Sequence, residues 1–257
     1  MTRYQKTVVT SALIFLPAGL AAGLFYSLTP WSSWAANLAV ALLIFGAAYV
    51  VNQLVLTRPL QRRFAAAFER ADPDAADLVL EEVAEMWPRN RKMLAYVEAN
   101  RAVVLMLRER WDEAVAVARR SAAGEMTSAH AALLQNNLAW ALAHAGALDE
   151  AGGLAQRALD GARTEVVRAA AQGTLGAIWA LKGDADRALA LLDAAVGSAL
   201  GGGAAMSARH YYRGVALESK RSAADALRAY EAARAAAPQS QFGRKASARI
   251  AQLQSKP

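Results

Sequence analysis

Two long stretches near the N-terminus contain no charged residue. They run from Val8 to Leu28 (21 residues) and from Trp34 to Leu56 (23 residues). A helix needs about 20 apolar residues to cross a membrane, and a helix satisfies its own backbone hydrogen bonds in lipid. The pattern therefore predicts a transmembrane hairpin over residues 1–57, with spans at about 8–28 and 34–56.

The charges around these stretches predict the orientation of the hairpin. The link over residues 29–33 is uncharged and includes Trp31, a residue typical of the membrane–water interface. Arg3 and Lys6 precede the first stretch, and Arg58 follows the second. Because basic residues favour the cytoplasmic side, both termini are expected in the cytoplasm. The alternative is a cleaved signal peptide, which would leave one span and place the following residues outside.

The rest of the chain has the apolar periodicity of short amphipathic helices arranged in pairs. Glycines separate the helices, notably Gly146, Gly183 and the triplet at 201–203. Helices are predicted near 91–107, 111–123, 128–144, 148–161, 165–181, 185–198, 204–219 and 223–236, and a last one near 239–254.

One alanine position repeats through these pairs at intervals of 37, 37 and 38 residues: Ala114, Ala151, Ala188 and Ala226. Small residues recur twelve positions earlier, at Ala102, Ala139, Gly176 and Gly214. They recur again seven positions later, at Ser121, Ala158, Ala195 and Ala233. Small side chains at fixed positions let neighbouring helices approach closely, so four copies of one helical unit are predicted.

This pattern resembles the tetratricopeptide repeat (TPR), whose basic period is about 34 residues. The resemblance covers residues 90–238 and implies an α-α superhelical solenoid, which residues 239–257 would close as a capping helix and tail. Residues 58–89 form either a degenerate fifth repeat or a linker helix. The predicted fold is therefore all-α, a transmembrane hairpin followed by a TPR solenoid. Membrane-anchored proteins of this type imply a bacterial inner (plasma) membrane location with a cytoplasmic repeat domain.

The resemblance also implies a binding groove along the first helix of each pair. Its candidate residues are Tyr96, Asn100, Val103, Met106, Asn136, Asn137, Trp140, Tyr211 and Glu218. Asn100 and Asn137 match positions that face the groove in the family, although each could instead bond its own helical turn. Chaperone-binding members have basic residues where this chain has Ala99, Ala170 and Thr174, so we expect apolar docking of a peptide or helix rather than carboxylate binding.

Basic residues are concentrated toward the C-terminus. Of the chain's net charge of +7, the segment 207–257 contributes strongly, with ten basic residues against three acidic ones. The candidate basic patch is Arg209, Arg213, Lys220, Arg221, Arg244, Lys245 and Arg249. Such a patch could bind nucleic acid or anionic lipid, or it could be an ordinary solvated surface.

No catalytic arrangement is visible. The chain has no cysteine, and its three histidines, His130, His144 and His210, lack metal-ligand spacing. We therefore expect no enzyme activity, no metal site, no cofactor and no small-molecule substrate. The predicted function is a membrane-tethered adaptor or scaffold that binds an unidentified protein partner. The alternatives are a fixed structural subunit of a larger membrane complex, or a nucleic-acid or anionic-lipid binder, with nucleic acid the less expected of the two.

Overall fold

The computed structural model describes residues 2–29, 34–123 and 128–255, and the regular structure within these ranges is entirely helical. The predicted hairpin link with Trp31 lies largely outside the described residues. The chain forms two compact units, one over 1–64 and 78–94 and the other over 65–77 and 95–257. The predicted domain divisions after residues 57, 89 and 238 stay predictions.

The first unit contains two long apolar helices, α1 (Arg3–Leu28) and α2 (Trp34–Asn52). Helix α1 starts before the uncharged stretch because Thr2 and Gln5 cap it reciprocally, the Thr2 hydroxyl accepting from the Gln5 N–H at 3.1 Å. The Ser11 hydroxyl donates to the Asn52 side chain at 3.0 Å and joins the two helices. By length and composition, α1 and the continuous helix over 34–69 could each cross a membrane.

The glycine pair of α1 does not pack as its spacing suggests. Gly19 and Gly23 form a small-xxx-small pattern, which allows close packing against another helix but is common by chance in a helix rich in alanine and glycine. Apart from the neighbouring backbone of α1 itself, no atom of the described residues lies within 4 Å of the position a β-carbon would take at either glycine. Helix α2 therefore does not approach α1 closely at these two glycines.

A π-helical segment, Gln53–Thr57, joins α2 to α3 (Arg58–Glu69). Pro59 stands just after this segment. Proline has no N–H, and its ring crowds the carbonyl four residues earlier. The wider π turn, in which the Arg58 N–H bonds the Gln53 carbonyl, fits the helix around this proline.

The remaining helices follow the predicted pairing closely. From 91 to 236 each helix starts and ends within one residue of its predicted position. Gly146 and Gly183 have φ of +91° and +82°, a conformation that glycine adopts without strain, and they end the helices before them. The helices are α4 (Pro73–Met86), α5 (Arg91–Leu107), α6 (Trp111–Ala123), α7 (Ser128–His144), α8 (Leu148–Asp160), α9 (Glu165–Leu181), α10 (Ala185–Gly197), α11 (Gly203–Ser219), α12 (Ala223–Ala236) and α13 (Gln241–Gln254).

The repeated small residues lie where helices cross. Ala114, Ala151, Ala188 and Ala226 are all completely buried. Helix α7 packs against α8 and α9, α9 against α10 and α11, and α11 against α12 and α13. Helices α6, α8 and α10 also pack against α7, α9 and α11, so both helices of a pair contact the first helix of the next pair. The helix-repeat arrangement predicted from the period is present.

Candidate binding cavity

A cavity of about 320 Å³ lies within the second unit. The first helices of successive pairs, α5, α7, α9 and α11, supply most of its wall, and the start of α13 closes part of it. Five predicted groove residues line this cavity: Val103, Met106, Asn136, Asn137 and Trp140. Tyr96, Asn100, Tyr211 and Glu218 are not among the lining residues.

Two apolar side chains of the cavity wall are open to solvent. Leu133 on α7 is 39% exposed, and Val166 on α9 is 58% exposed. Ala170, one turn after Val166, also lines the cavity, and its small side chain leaves space next to Leu133 and Val166. Exposed apolar side chains at the mouth of an apolar cavity form a surface that another apolar group can cover.

Trp140 lies at the boundary between the cavity and the core. Its ring centroid is 4.5 Å from that of His144 and 5.7 Å from that of Phe242. Phe242 belongs to α13 and is buried. The indole therefore supports the packing of α13 as well as lining the cavity, and replacing it would weaken the fold along with any binding.

His144 is held in this aromatic cluster by two hydrogen bonds. Its Nδ1 is 2.9 Å from the Trp140 carbonyl, and its Nε2 is 2.9 Å from the Tyr212 hydroxyl. A neutral ring that donates from Nδ1 to the carbonyl and accepts the tyrosine O–H at Nε2 satisfies both contacts. Burial, which favours the neutral ring, lowers the pKa of His144 to about 4, and the charge of Lys245 acts in the same direction.

Tyr211 and Glu218 are engaged elsewhere in the fold. The Tyr211 ring packs against the rings of Tyr230 and Phe242, at centroid distances of 5.6 and 5.5 Å. The Glu218 carboxylate accepts from the Arg249 guanidinium at 2.6 Å and from the Tyr230 hydroxyl. The structure thus places both predicted groove residues against α12 and α13, away from the cavity.

The two asparagines matched to the family's groove position differ. The Asn100 side chain donates to the Tyr96 carbonyl at 2.8 Å, so it bonds its own helical turn. Tyr96 is itself half-buried, and burial raises its pKa. Asn137 and its neighbour Asn136 both lie in the cavity wall.

Most residues of the predicted basic patch have acidic partners. The ion pairs are Arg213 with Asp193, Lys220 with Asp186, Arg244 with Glu109, and Arg249 with Glu218. The Lys245 ammonium lies 5.6 Å from the centroid of the Phe242 ring, and Arg221 is exposed. Paired charges of this kind leave much less free positive charge than the residue count suggests.

Arg209 departs from the prediction most clearly, because it is buried rather than part of a surface patch. Only 5% of it is exposed. Its Nη1 donates to the Ala195 carbonyl at 2.9 Å and to the Leu200 carbonyl. Gly173 makes room for it, since a β-carbon there would lie 3.1 Å from Arg209 Nε. Burial lowers the pKa of the guanidinium.

Two buried polar atoms of cavity residues lack a hydrogen-bond partner among the described residues. They are the Asn136 side-chain oxygen and the Gln241 side-chain nitrogen. An unpaired buried polar atom costs about 1–3 kcal/mol, so a ligand that reached these atoms would gain by pairing them. The part of the chain that the structure describes holds no cluster of three metal-ligating side chains.

Comparison with known proteins does not assign the chain to a family. Neither the models of known protein families nor the curated proteins match it. Among solved structures it is similar to the crystal structure of BtubC (BKLC) from P. vanneervenii. The two chains share 17% identity with a TM-score of 0.44, over 100% of this chain and 95% of the other. At this level the similarity shows neither family nor function.

Proposed function

We propose that this protein is a membrane-anchored adaptor of tetratricopeptide type, which binds an apolar segment of a partner protein over the mouth of the cavity in its helical repeats. The observation that carries the proposal is the apolar cavity wall that stays open to solvent at Leu133 and Val166. The period of 37–38 residues and the buried alanines at its crossing points support a TPR-like solenoid.

The two N-terminal helices support membrane anchoring. Their apolar side chains are largely uncovered within the first unit; Leu20 is 75% exposed and Leu43 73%. Lipid is the solvent in which such surfaces are stable. The basic residues flanking the apolar stretches favour cytoplasmic termini and a cytoplasmic repeat unit. Retention of the full chain in the membrane fraction after alkaline extraction tests this part of the proposal.

The ion pairs of the basic C-terminal residues favour the adaptor over a nucleic-acid or lipid binder. Such a binder needs free cations along one face, whereas four of the seven patch residues are paired with carboxylates and Arg209 is buried. The proposal assigns the chain no catalysed reaction.

Changing Leu133 and Val166 together to glutamate is expected to abolish partner binding without unfolding the protein. Both side chains are exposed, so the new carboxylates stay hydrated, but they place two charges at the apolar mouth of the cavity. Partner recovered with the gently solubilised full chain should fall about tenfold or more, measured by quantitative mass spectrometry.

The matched control is Ala190→Glu, which adds a carboxylate at an exposed position of α10 that does not line the cavity. This variant should recover the same partner as the unaltered chain. Equal recovery with the double variant, in protein whose circular dichroism is unchanged, would refute the proposed function.

A further inference from the structure

The wall of the cavity is positively charged as well as apolar. Two arginines, Arg209 and Arg244, contribute to it, and no aspartate or glutamate is among the described lining residues. Arg244 is paired with Glu109 at 3.0 Å. Glu69 packs against Gly202 at the cavity edge, but its side chain is not part of the wall. The unbalanced positive charge of the cavity is therefore that of Arg209.

Arg209 has hydrogen-bonding capacity left for a ligand. Its contacts with the Ala195 and Leu200 carbonyls and with the Met206 sulfur are all made through Nη1. Among the described residues, Nε and Nη2 have no hydrogen-bond acceptor, and no carboxylate forms an ion pair with the guanidinium. A buried cation without a counter-charge is costly, and a guanidinium is shaped to hold a carboxylate through two parallel N–H donors.

The rest of the wall suits an apolar chain with few polar contacts. Val103, Met106, Leu133 and Trp140 provide an apolar surface, and the unpaired Gln241 side-chain nitrogen provides one further donor. The volume of about 320 Å³ is at the lower end of the range for small-molecule sites, about 300–1,000 Å³. A dianionic phosphate would demand more donors than one guanidinium and one amide offer.

We propose that this cavity binds a medium-chain aliphatic carboxylate, with the carboxylate against Arg209 and the alkyl chain along α5 and α7. Gly173 is part of this site, because its lack of a side chain gives the guanidinium its place beside α9. The inference goes beyond the proposed function and does not depend on it, since a small anion can occupy the interior of the cavity whether or not a protein segment covers its mouth.

The test is calorimetric titration of the full chain in lipid nanodiscs with octanoate, octanol and octylamine, with empty nanodiscs subtracted. Octanoate should bind with one site per chain. Octanol has the same alkyl chain but no charge, so its affinity should be lower than that of octanoate by a factor of about ten or more. Octylamine should not bind. Equal affinity for octanoate and octanol would overturn the proposal.

Two variants and one control locate the site. Arg209→Met should lose octanoate binding. The control, Arg213→Met, removes an arginine one turn further along α11 and should keep octanoate binding. Because Arg209→Met also removes bonds to two carbonyls, Ala170→Phe is the second variant; it fills the cavity and leaves Arg209 in place, and it should also lose octanoate. Unchanged octanoate binding by folded Ala170→Phe would overturn the proposal.

A short apolar peptide with a free C-terminal carboxylate tests whether the site binds the C-terminus of a protein instead of a fatty acid. Binding of the free-acid peptide but not of octanoate would overturn the fatty-acid assignment and give the site to a protein C-terminus. If octanoate binds but the Leu133/Val166 glutamate variant recovers the same partner, the carboxylate site is supported and the adaptor function is refuted.

Discussion

Replacing Gly214 with valine is expected to lower the free energy of unfolding of the repeat unit by about 3 kcal/mol, at the upper end of the range for overpacking. A β-carbon at this position would lie 2.6 Å from Cε1 of Tyr230. Tyr230 is completely buried, and its hydroxyl is bonded to Glu218. The ring cannot move aside without breaking that bond, so α11 and α12 must separate.

The matched control for this change is Gly152→Ala in α8. A β-carbon at Gly152 has only Ile178 Cγ2 near it, at 3.9 Å, which is an ordinary contact. Alanine should therefore stabilise the helix by about 0.5–1 kcal/mol through its higher helix propensity. Thermal unfolding followed by circular dichroism measures both variants. A Gly214→Val protein as stable as the unaltered chain would show that α11 and α12 do not cross at this point.

Acidification from near pH 7 to near pH 5 is expected to cost the folded protein about 2 kcal/mol through His144 alone. In the unfolded chain this histidine has an ordinary pKa of about 6.5, whereas in the folded protein its pKa is about 4. Between these two values the unfolded chain binds a proton that the folded protein does not. The stability is therefore complete above about pH 6.5 and is lost as the pH falls toward 4.

Unfolding by urea at the two pH values measures this effect. His144→Gln should show a smaller loss on acidification than the unaltered chain, whatever its stability near neutral pH. His210→Gln is the comparison, since the pKa of His210 is also lowered by burial and by the nearby Arg213 and Arg209. If the free energy of unfolding of His144→Gln changed with pH as much as that of the unaltered chain, the conclusion that His144 is buried and neutral would be contradicted.

The helices and their crossings could be predicted from sequence because they depend on local signals. Glycines with positive φ at 146 and 183 mark the turns, and recurrent alanines mark the close approaches. These signals lie within one helix pair and repeat, so each copy supports the others. The structure places three residues chosen from this regularity, Val103, Met106 and Trp140, in the wall of the cavity.

The sequence did not predict the contacts between residues far apart in the chain. Tyr211 and Glu218 are covered because α13 folds back onto α11 and brings Phe242 and Arg249 against them. No periodic pattern predicts which side of the last pair this helix occupies. Arg209 lies inside because Gly173, 36 residues earlier, leaves space for it. Small residues at 170, 173, 177 and 180 leave space along α9, but the sequence alone does not show whether a neighbouring side chain fills that space.

The most direct test of the adaptor function is site-specific photo-crosslinking in cells that express the full chain. A photoreactive amino acid at Leu133 should give a discrete adduct with one partner protein, because that side chain lies exposed at the mouth of the cavity. The same amino acid at Ala190 should not give this adduct, and adding Val166→Glu should weaken it. Identical adducts from both positions, or none from Leu133 in membrane-localised protein, would contradict a partner site at the mouth of the cavity.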